Sequence, residues 1–331
     1  MKIDNSFHPR GLLANTHVQT LLSSSGYRRK KILPQAEKLL AASEKWILDG
    51  GDGIRLLAYY SAQPWTTVSR GLVVLIHGWE GSSESNYLIA TASNLFNNGF
   101  DVLRLNLRDH GDSHHLNEGL FHSRMIDEVV NAIADACSRI DTRPVFMAGF
   151  SLGANFTLRV ALRAPANNIP LQHAVAVCPV IRPQDVLDAL ESGLPIYEYY
   201  FNRKWEKSLR KKAQLFPQRY NFDDWYKMPR LRDRTEDLVV NHTPWDDLNE
   251  YLDGYSLVGD TLAELKVPST IVATVDDPVI PVAEVEKLPA TDCLERVYTE
   301  RGGHCAFLEN WQMHSWIEGY ILERIEQSLE E

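Results

Sequence analysis

The chain has 331 residues, with 44 acidic and 34 basic side chains and a formal net charge of −10 at pH 7. That length suits one large α/β domain carrying an insertion, or two domains. The acidic balance excludes nucleic acid as the main partner, because no domain-scale basic field is present to neutralise phosphates. The four cysteines (Cys137, Cys178, Cys293, Cys305) show neither metal-type Cys-x-x-Cys spacing nor a disulfide framework.

In chain order, residues 1–40 read as an irregular preface. The first residues lack the apolar core of a signal peptide, and no run approaches the length of a membrane span, so a cytoplasmic location is expected. Arg28-Arg29-Lys30-Lys31 reads as a solvated surface run. The sharper alternative is a weak peripheral contact with anionic lipid headgroups. A β-hairpin is predicted over Glu44 to Leu48 and Ile54 to Ser61, around the turn Asp49-Gly50-Gly51-Asp52-Gly53.

Strands and helices then alternate. The apolar run Gly71 to Ile76 reads as a strand buried on both faces. A helix near Tyr87 to Asn97, a strand over Asp101 to Leu105, a helix near Met125 to Ile140, and strands over Val145 to Ala148 and Ala174 to Val177 follow. This rhythm predicts a doubly wound, mostly parallel sheet. It breaks between about Arg182 and Val258, a charged segment crowded with aromatic residues, which argues against disorder. We read it as a mostly helical insertion forming a cap over the C-terminal edge of the sheet. The rhythm resumes with a strand at Ser269 to Val275, a short helix near Val282 to Leu288, a strand at Leu294 to Tyr298 and a closing helix near Trp311 to Leu329. The expected organisation is a preface and first core segment (1–181), a cap (182–258) and a second core segment (259–331).

The chemistry is carried by Gly149-Phe150-Ser151-Leu152-Gly153, set between a predicted strand and a predicted helix. A serine on so sharp a turn needs neighbours without Cβ atoms, because strand and helix pass close by. The helix N-terminus then points N–H groups at the place where negative charge would develop. A nucleophilic serine needs a base and a group that orients it. In this arrangement they follow as acid and then histidine, each after a later strand. Of eleven histidines, only His304 and His314 lie beyond the resumed sheet. His304 follows Gly302-Gly303 in a loop and is the candidate base, whereas His314 falls within the predicted closing helix. Asp276 and Asp277 both follow the Ser269 strand. Pro278 holds the residue before it extended, which favours Asp277 as the acid and leaves Asp276 to bond the loop.

Two backbone N–H groups are needed for an oxyanion. Leu152, after the nucleophile, supplies one, and Trp79 in the loop His77-Gly78-Trp79-Glu80-Gly81 is the candidate for the other. The Trp79 indole is a candidate lining of the acyl pocket. The loop Arg108 to His115, with His122 nearby, invites a metal reading, but no recognised ligand spacing supports it and it reads as an ordinary loop. Glu80, Glu84 and Asp109 are candidates for substrate contact, or simply solvated. No metal and no cofactor is called for.

These motifs together, Gly149 to Asn155, His77 to Ser85, Asp276-Asp277-Pro278 and Gly302-Gly303-His304, resemble the YheT-like branch of the α/β-hydrolase superfamily. The preface, with Phe7-His8-Pro9 and Asn15-Thr16-His17-Val18-Gln19-Thr20, resembles that branch's N-terminal signature. Ala154 stands where the branch commonly has glycine. The resemblance implies an α/β-hydrolase fold with an eight-stranded sheet, a Ser151/Asp277/His304 relay and esterase-type activity on acyl esters. Eukaryotic members act on phospholipids and often carry a membrane anchor.

The expected function is therefore a serine carboxylesterase acting on a small apolar ester through an acyl-enzyme. Two rivals stay open: a phospholipase or acyltransferase on lipid esters, and a non-catalytic scaffold of the same fold used for binding.

Overall fold

The computed structural model describes residues 3–64, 68–140 and 144–330. Eight strands form one sheet: β1 (Ser43–Gly51), β2 (Ile54–Ser61), β3 (Leu72–Ile76), β4 (Asp101–Leu105), β5 (Val145–Phe150), β6 (Leu171–Val177), β7 (Ser269–Thr274) and β8 (Leu294–Thr299). Their spatial order is β1-β2-β4-β3-β5-β6-β7-β8. The first two pairings, β1 with β2 and β2 with β4, are antiparallel, and the rest are parallel.

β3, at the middle of the sheet, is apolar at every position because both faces are covered. Successive side chains of a strand point to opposite faces, so Leu72, Val74 and Ile76 of β3 join one core while Val73 and Leu75 join the other. The first core is roofed by helices Ile126–Arg139 and Leu152–Arg163, and the second by helices Asn86–Asn97 and Trp316–Glu330. Each fully buried Leu, Ile, Val or Phe contributes on the order of 1.5–3 kcal/mol, so this double layer is what fixes the strand ends in space.

Those ends make the site. β3 and β5 finish side by side, with Ile76 opposite Gly149, while Phe150 pairs with Val177 and Thr274 with Thr299. The loops after β3, β5, β6, β7 and β8 therefore converge on one edge, the place where open α/β sheets bind ligands. Between β6 and β7 the chain leaves the sheet for helices Pro183–Ser192, Pro195–Leu215, Leu231–His242 and Leu248–Asp253.

The preface differs from expectation. It is helical rather than irregular, with helices Thr16–Ser23, Gly26–Ile32 and Glu37–Ala41 among the described residues. Asn15 and Ser25 cap the first two by accepting bonds from backbone N–H groups. These helices bury polar side chains: Gln19 spans Leu13 and Leu308 with its amide, and Arg28 pairs with Glu318 at 2.7 Å. Apolar packing beside them is narrow: Val18 and Leu22 of the first helix meet the small cluster of Leu13, Ala306, Leu308 and Met313. Arg28 is thus no part of a solvated run. Arg29 reaches Glu84, while Lys30 and Lys31 are exposed. The closing helix also starts later than expected, at Trp316. Leu308 and Ser315 pair across a short bridge, which leaves His314 in an exposed loop. No helix among the described residues is long and apolar enough to cross a membrane.

Candidate active site

Ser151 sits between β5 and helix Leu152–Arg163 with φ 57° and ψ −119°, a backbone conformation few non-glycine residues adopt. The flanking glycines are demanded by contact. A Cβ on Gly149 would lie 2.3 Å from the Gly153 carbonyl oxygen, and one on Gly153 would lie 2.3 Å from that of His77. The Ser151 N–H donates to the Val177 carbonyl at 2.9 Å, tying the turn to β6.

Asp277 and His304 meet after β7 and β8. Oδ2 of Asp277 is 3.0 Å from Nδ1 of His304, and Oδ1 accepts from the Val279 and Ile280 N–H groups at 2.8 and 3.0 Å. With its side chain only 2% exposed, the carboxylate is held as an oriented charge. Burial works against protonation of His304, but the Asp277 carboxylate and the neighbouring Cys305 sulfur outweigh it and hold the imidazole well above its ordinary range. Asp276 turns the other way: its Oδ1 accepts from Thr274 Oγ1 at 2.7 Å and from the Gly303 N–H at 3.0 Å. Ser151 and His304 face one chamber. Among the described residues no hydrogen bond joins them, and Nε2 of His304 lies 3.9 Å from Cys305 Sγ. Catalytic hydrogen bonds are often long before substrate arrives.

The loop after β3 is pinned by groups whose role the sequence did not reveal. His77 Nδ1 donates to the Gly78 carbonyl at 2.7 Å while its Nε2 accepts from the Leu107 N–H at 3.2 Å. The Gly78 N–H donates to Tyr87 Oη at 2.9 Å, and the Glu80 N–H to His110 Nε2 at 3.1 Å. Burial keeps both imidazoles neutral: His77 falls well below its ordinary range, and His110 to about 4. The Trp79 N–H makes no hydrogen bond among the described residues. Leu152 opens its helix, so its N–H lacks a carbonyl one turn back.

The preface holds the other side. The His304 N–H donates to Thr20 Oγ1 at 2.9 Å, and Thr16 Oγ1 donates to the Asp276 carbonyl at 2.6 Å. Gly303, at φ 57°, passes so near this helix that a Cβ would lie 2.7 Å from the Thr16 carbonyl oxygen. His17 Nδ1 lies 2.7 Å from Tyr197 Oη on the cap. The sequence signal for this clamp was the run Asn15-Thr16-His17-Val18-Gln19-Thr20 of the preface.

Two hollows meet at Ser151. The larger, about 390 Å³, is lined by Thr20, Glu80, Glu84, Tyr87, Lys204 and His304 among others. The smaller, about 110 Å³, lies beneath the cap and is lined chiefly by Leu152, Val180, Val186, Leu187, Leu190 and Leu252, with His122 and Thr235 as polar members. Trp79 and Phe201, stacked with centroids 5.2 Å apart, border both. Of the cap aromatics, Tyr220, Phe222 and Trp225 form a core of their own, while Phe201, Trp205, Tyr251 and Tyr255 face the smaller hollow. Glu80 and Glu84 line the larger hollow. Asp109 is instead committed to Lys212 at 2.7 Å, in a buried pair that ties the loop after β4 to the cap. Burial, opposed by Lys204 and reinforced by Asp109, pushes the Glu80 carboxyl up to about 8.

Comparison with known proteins agrees with this geometry. An esterase of Pyrococcus furiosus superposes with a TM-score of 0.53 at 14% identity, over 87% of this chain and 90% of its own. Est1E of Butyrivibrio proteoclasticus with bound ferulic acid gives 0.53 at 19%, over 86% and 100%. A bacterial membrane phospholipase A gives 0.53 at 16%, over 94% and 92%. At such identities the likeness is one of fold. A Haemophilus influenzae protein named "Putative esterase/lipase" is 27% identical over 110 residues, 33% of this chain, and the match spans 36% of that relative's length. The profile of the alpha/beta hydrolase fold family matches residues 71–310, from the start of β3 to past His304. Strand order, elbow and family match converge, and the chain belongs to the α/β-hydrolase fold family.

Proposed function

We propose that the protein is a serine hydrolase of carboxylic esters, with Ser151 as nucleophile, His304 as base and Asp277 as its orienting acid. The observation that carries this reading is the buried Asp277–His304 pair facing the same chamber as a serine held at φ 57°. Asp277 accepts a hydrogen bond from the Nδ1–H, which keeps that proton on Nδ1 and leaves Nε2 with its lone pair toward the chamber. His304 takes the Ser151 hydroxyl proton as Oγ attacks the ester carbonyl carbon. The oxygen becomes an anion held by the Trp79 and Leu152 N–H groups, each worth roughly 2.7–4 kcal/mol to the transition state. Collapse expels the alcohol, which takes the proton back from His304. Water, deprotonated by His304, then releases the acid and restores Ser151.

The two hollows divide the substrate. The apolar hollow suits a short acyl group, and the larger one, with Glu80, Glu84 and Lys204, suits a more polar alcohol portion. The reading as a member of the YheT-like branch draws on the preface, where Gln19 and Thr20 of its signature bond the loop that carries His304 and Thr16 bonds the Asp276 carbonyl. A fluorophosphonate probe tests the reading. Wild type is expected to be labelled and Ser151→Ala not; an unlabelled wild type, or a labelled variant, overturns it.

A further inference from the structure

Two cysteines outside the proposed Ser151/His304/Asp277 relay lie beside its histidine. Cys178 follows β6 and Cys305 follows His304. Both are buried, and both have a left-handed backbone, with φ 47° and 56°. Such conformations are uncommon outside glycine and tend to gather at functional sites. Here they turn the two thiols toward one point. Cys305 Sγ is 3.9 Å from His304 Nε2, and the two sulfurs and a ring nitrogen of His304 all lie within 4.8 Å of one another.

Two thiolates and an imidazole are a donor set for a soft divalent cation, and they disfavour magnesium or calcium, which take oxygen. Zinc–sulfur bonds of about 2.3 Å and zinc–nitrogen bonds of about 2.0 Å place tetrahedral neighbours roughly 3.5–3.8 Å apart. The three donors therefore need to close by about 1 Å, within the reach of side-chain rotation. Asp277 already accepts from Nδ1, which is the partner a metal-bound histidine ordinarily has on its other nitrogen. His304 and Cys305 both line the larger hollow, so an ion would have a route in and a fourth coordination position open to that hollow.

We propose that Cys178, Cys305 and His304 form an inhibitory site for a soft divalent cation such as zinc or cadmium. The inference rests on the reading of His304 as the base. On binding, the two thiols release their protons to solvent and each sulfur forms a bond to the metal. Nε2 gives its lone pair to the metal and can no longer accept the Ser151 proton. Ester hydrolysis stops, and returns when the ion is withdrawn.

Cadmium is the probe, because thiolate-to-cadmium charge transfer gives an ultraviolet band independent of activity. The reduced protein is titrated under anaerobic conditions, following the band and ester hydrolysis together. One cadmium per chain is expected, with hydrolysis lost in step with the band and restored by EDTA. Ser151→Ala is expected to keep the band. Cys178→Ala is expected to lose it and still hydrolyse ester, requiring at least about tenfold more cadmium for half-inhibition. Cys178→Ser, closer in volume, serves if the alanine variant does not fold. Absence of a band in wild type, or a band and inhibition unchanged in both Cys178→Ala and Cys305→Ala, overturns the site. So does inhibition that needs an oxidant and yields only to a reductant, which would mark a disulfide. A cysteine-dependent band in a protein without esterase activity upholds the site and sinks the hydrolase reading.

Discussion

The two hollows at Ser151 are built from different parts of the chain and by different chemistry. The smaller is walled by the elbow helix and by the first cap helix, Pro183–Ser192, with leucine and valine side chains. The larger is walled by the preface, the loop after β3 and the helix Pro195–Leu215, with hydroxyls, two carboxyls and an ammonium. Ser151 lines both, so under the proposed function the substrate is divided at its carbonyl: the apolar wall judges the acyl group, and the polar wall judges the alcohol.

The comparison breaks altogether if Ser151 is removed. Ser151→Ala is expected to lower ester turnover by on the order of 10⁶, measured with p-nitrophenyl acetate. Asp277→Asn leaves both hollows intact and is expected to cost about 10⁴ in kcat. It also moves the pH profile. As a base His304 must be neutral, so kcat/KM falls as the pH drops through its raised pKa. Removing the Asp277 charge lowers that pKa and carries the acid limb to lower pH.

Leu187→Trp fills the apolar hollow alone. Activity on butyrate and longer esters is expected to fall by roughly 10–100-fold relative to acetate, since each methylene in such a pocket is worth about 1–3 kcal/mol. Equal losses across the series would mean that the acyl group lies elsewhere. The smallest effect belongs to the polar wall. Glu80 is neutral near pH 7 and ionises on passing about 8. Glu80→Gln is therefore expected to leave neutral-pH activity little changed and to remove a decline in kcat/KM above that value.

The sheet was legible because strands buried on both faces are largely apolar, as in Leu72–Ile76. Ile54–Ser61 and Asp101–Leu105 fall where the sequence placed them, and the other strands differ only at their ends. The elbow was legible because its glycines answer to backbone contacts 2.3 Å away, which no other residue tolerates. The Asp277–His304 contact followed from chain order and Pro278. The preface was not legible in the same way: its helices are held by polar groups such as Gln19 and Arg28, whose partners lie near the opposite end of the chain. Periodicity records burial of apolar faces and is silent about buried hydrogen bonds. The same limit hid His77 and His110, which act through backbone groups that any sequence possesses, and the approach of Cys178 to Cys305, 127 positions later by their numbering.

The bond from the His304 N–H to Thr20 Oγ1 joins residues 284 apart in sequence, and that between Gln19 and Leu308 joins residues 289 apart. Synthesis runs from the N- to the C-terminal direction, so Thr20 is made 284 residues before the histidine loop that it holds. Contacts of such long range close late, after the loop entropy between them has been overcome. The elbow can be formed while synthesis continues, but the histidine has no anchored loop until the last strand and the closing helix are in place. A chain cut before His304 would thus carry the Ser151 turn without the proposed base beside it, and on that reading it would not hydrolyse ester.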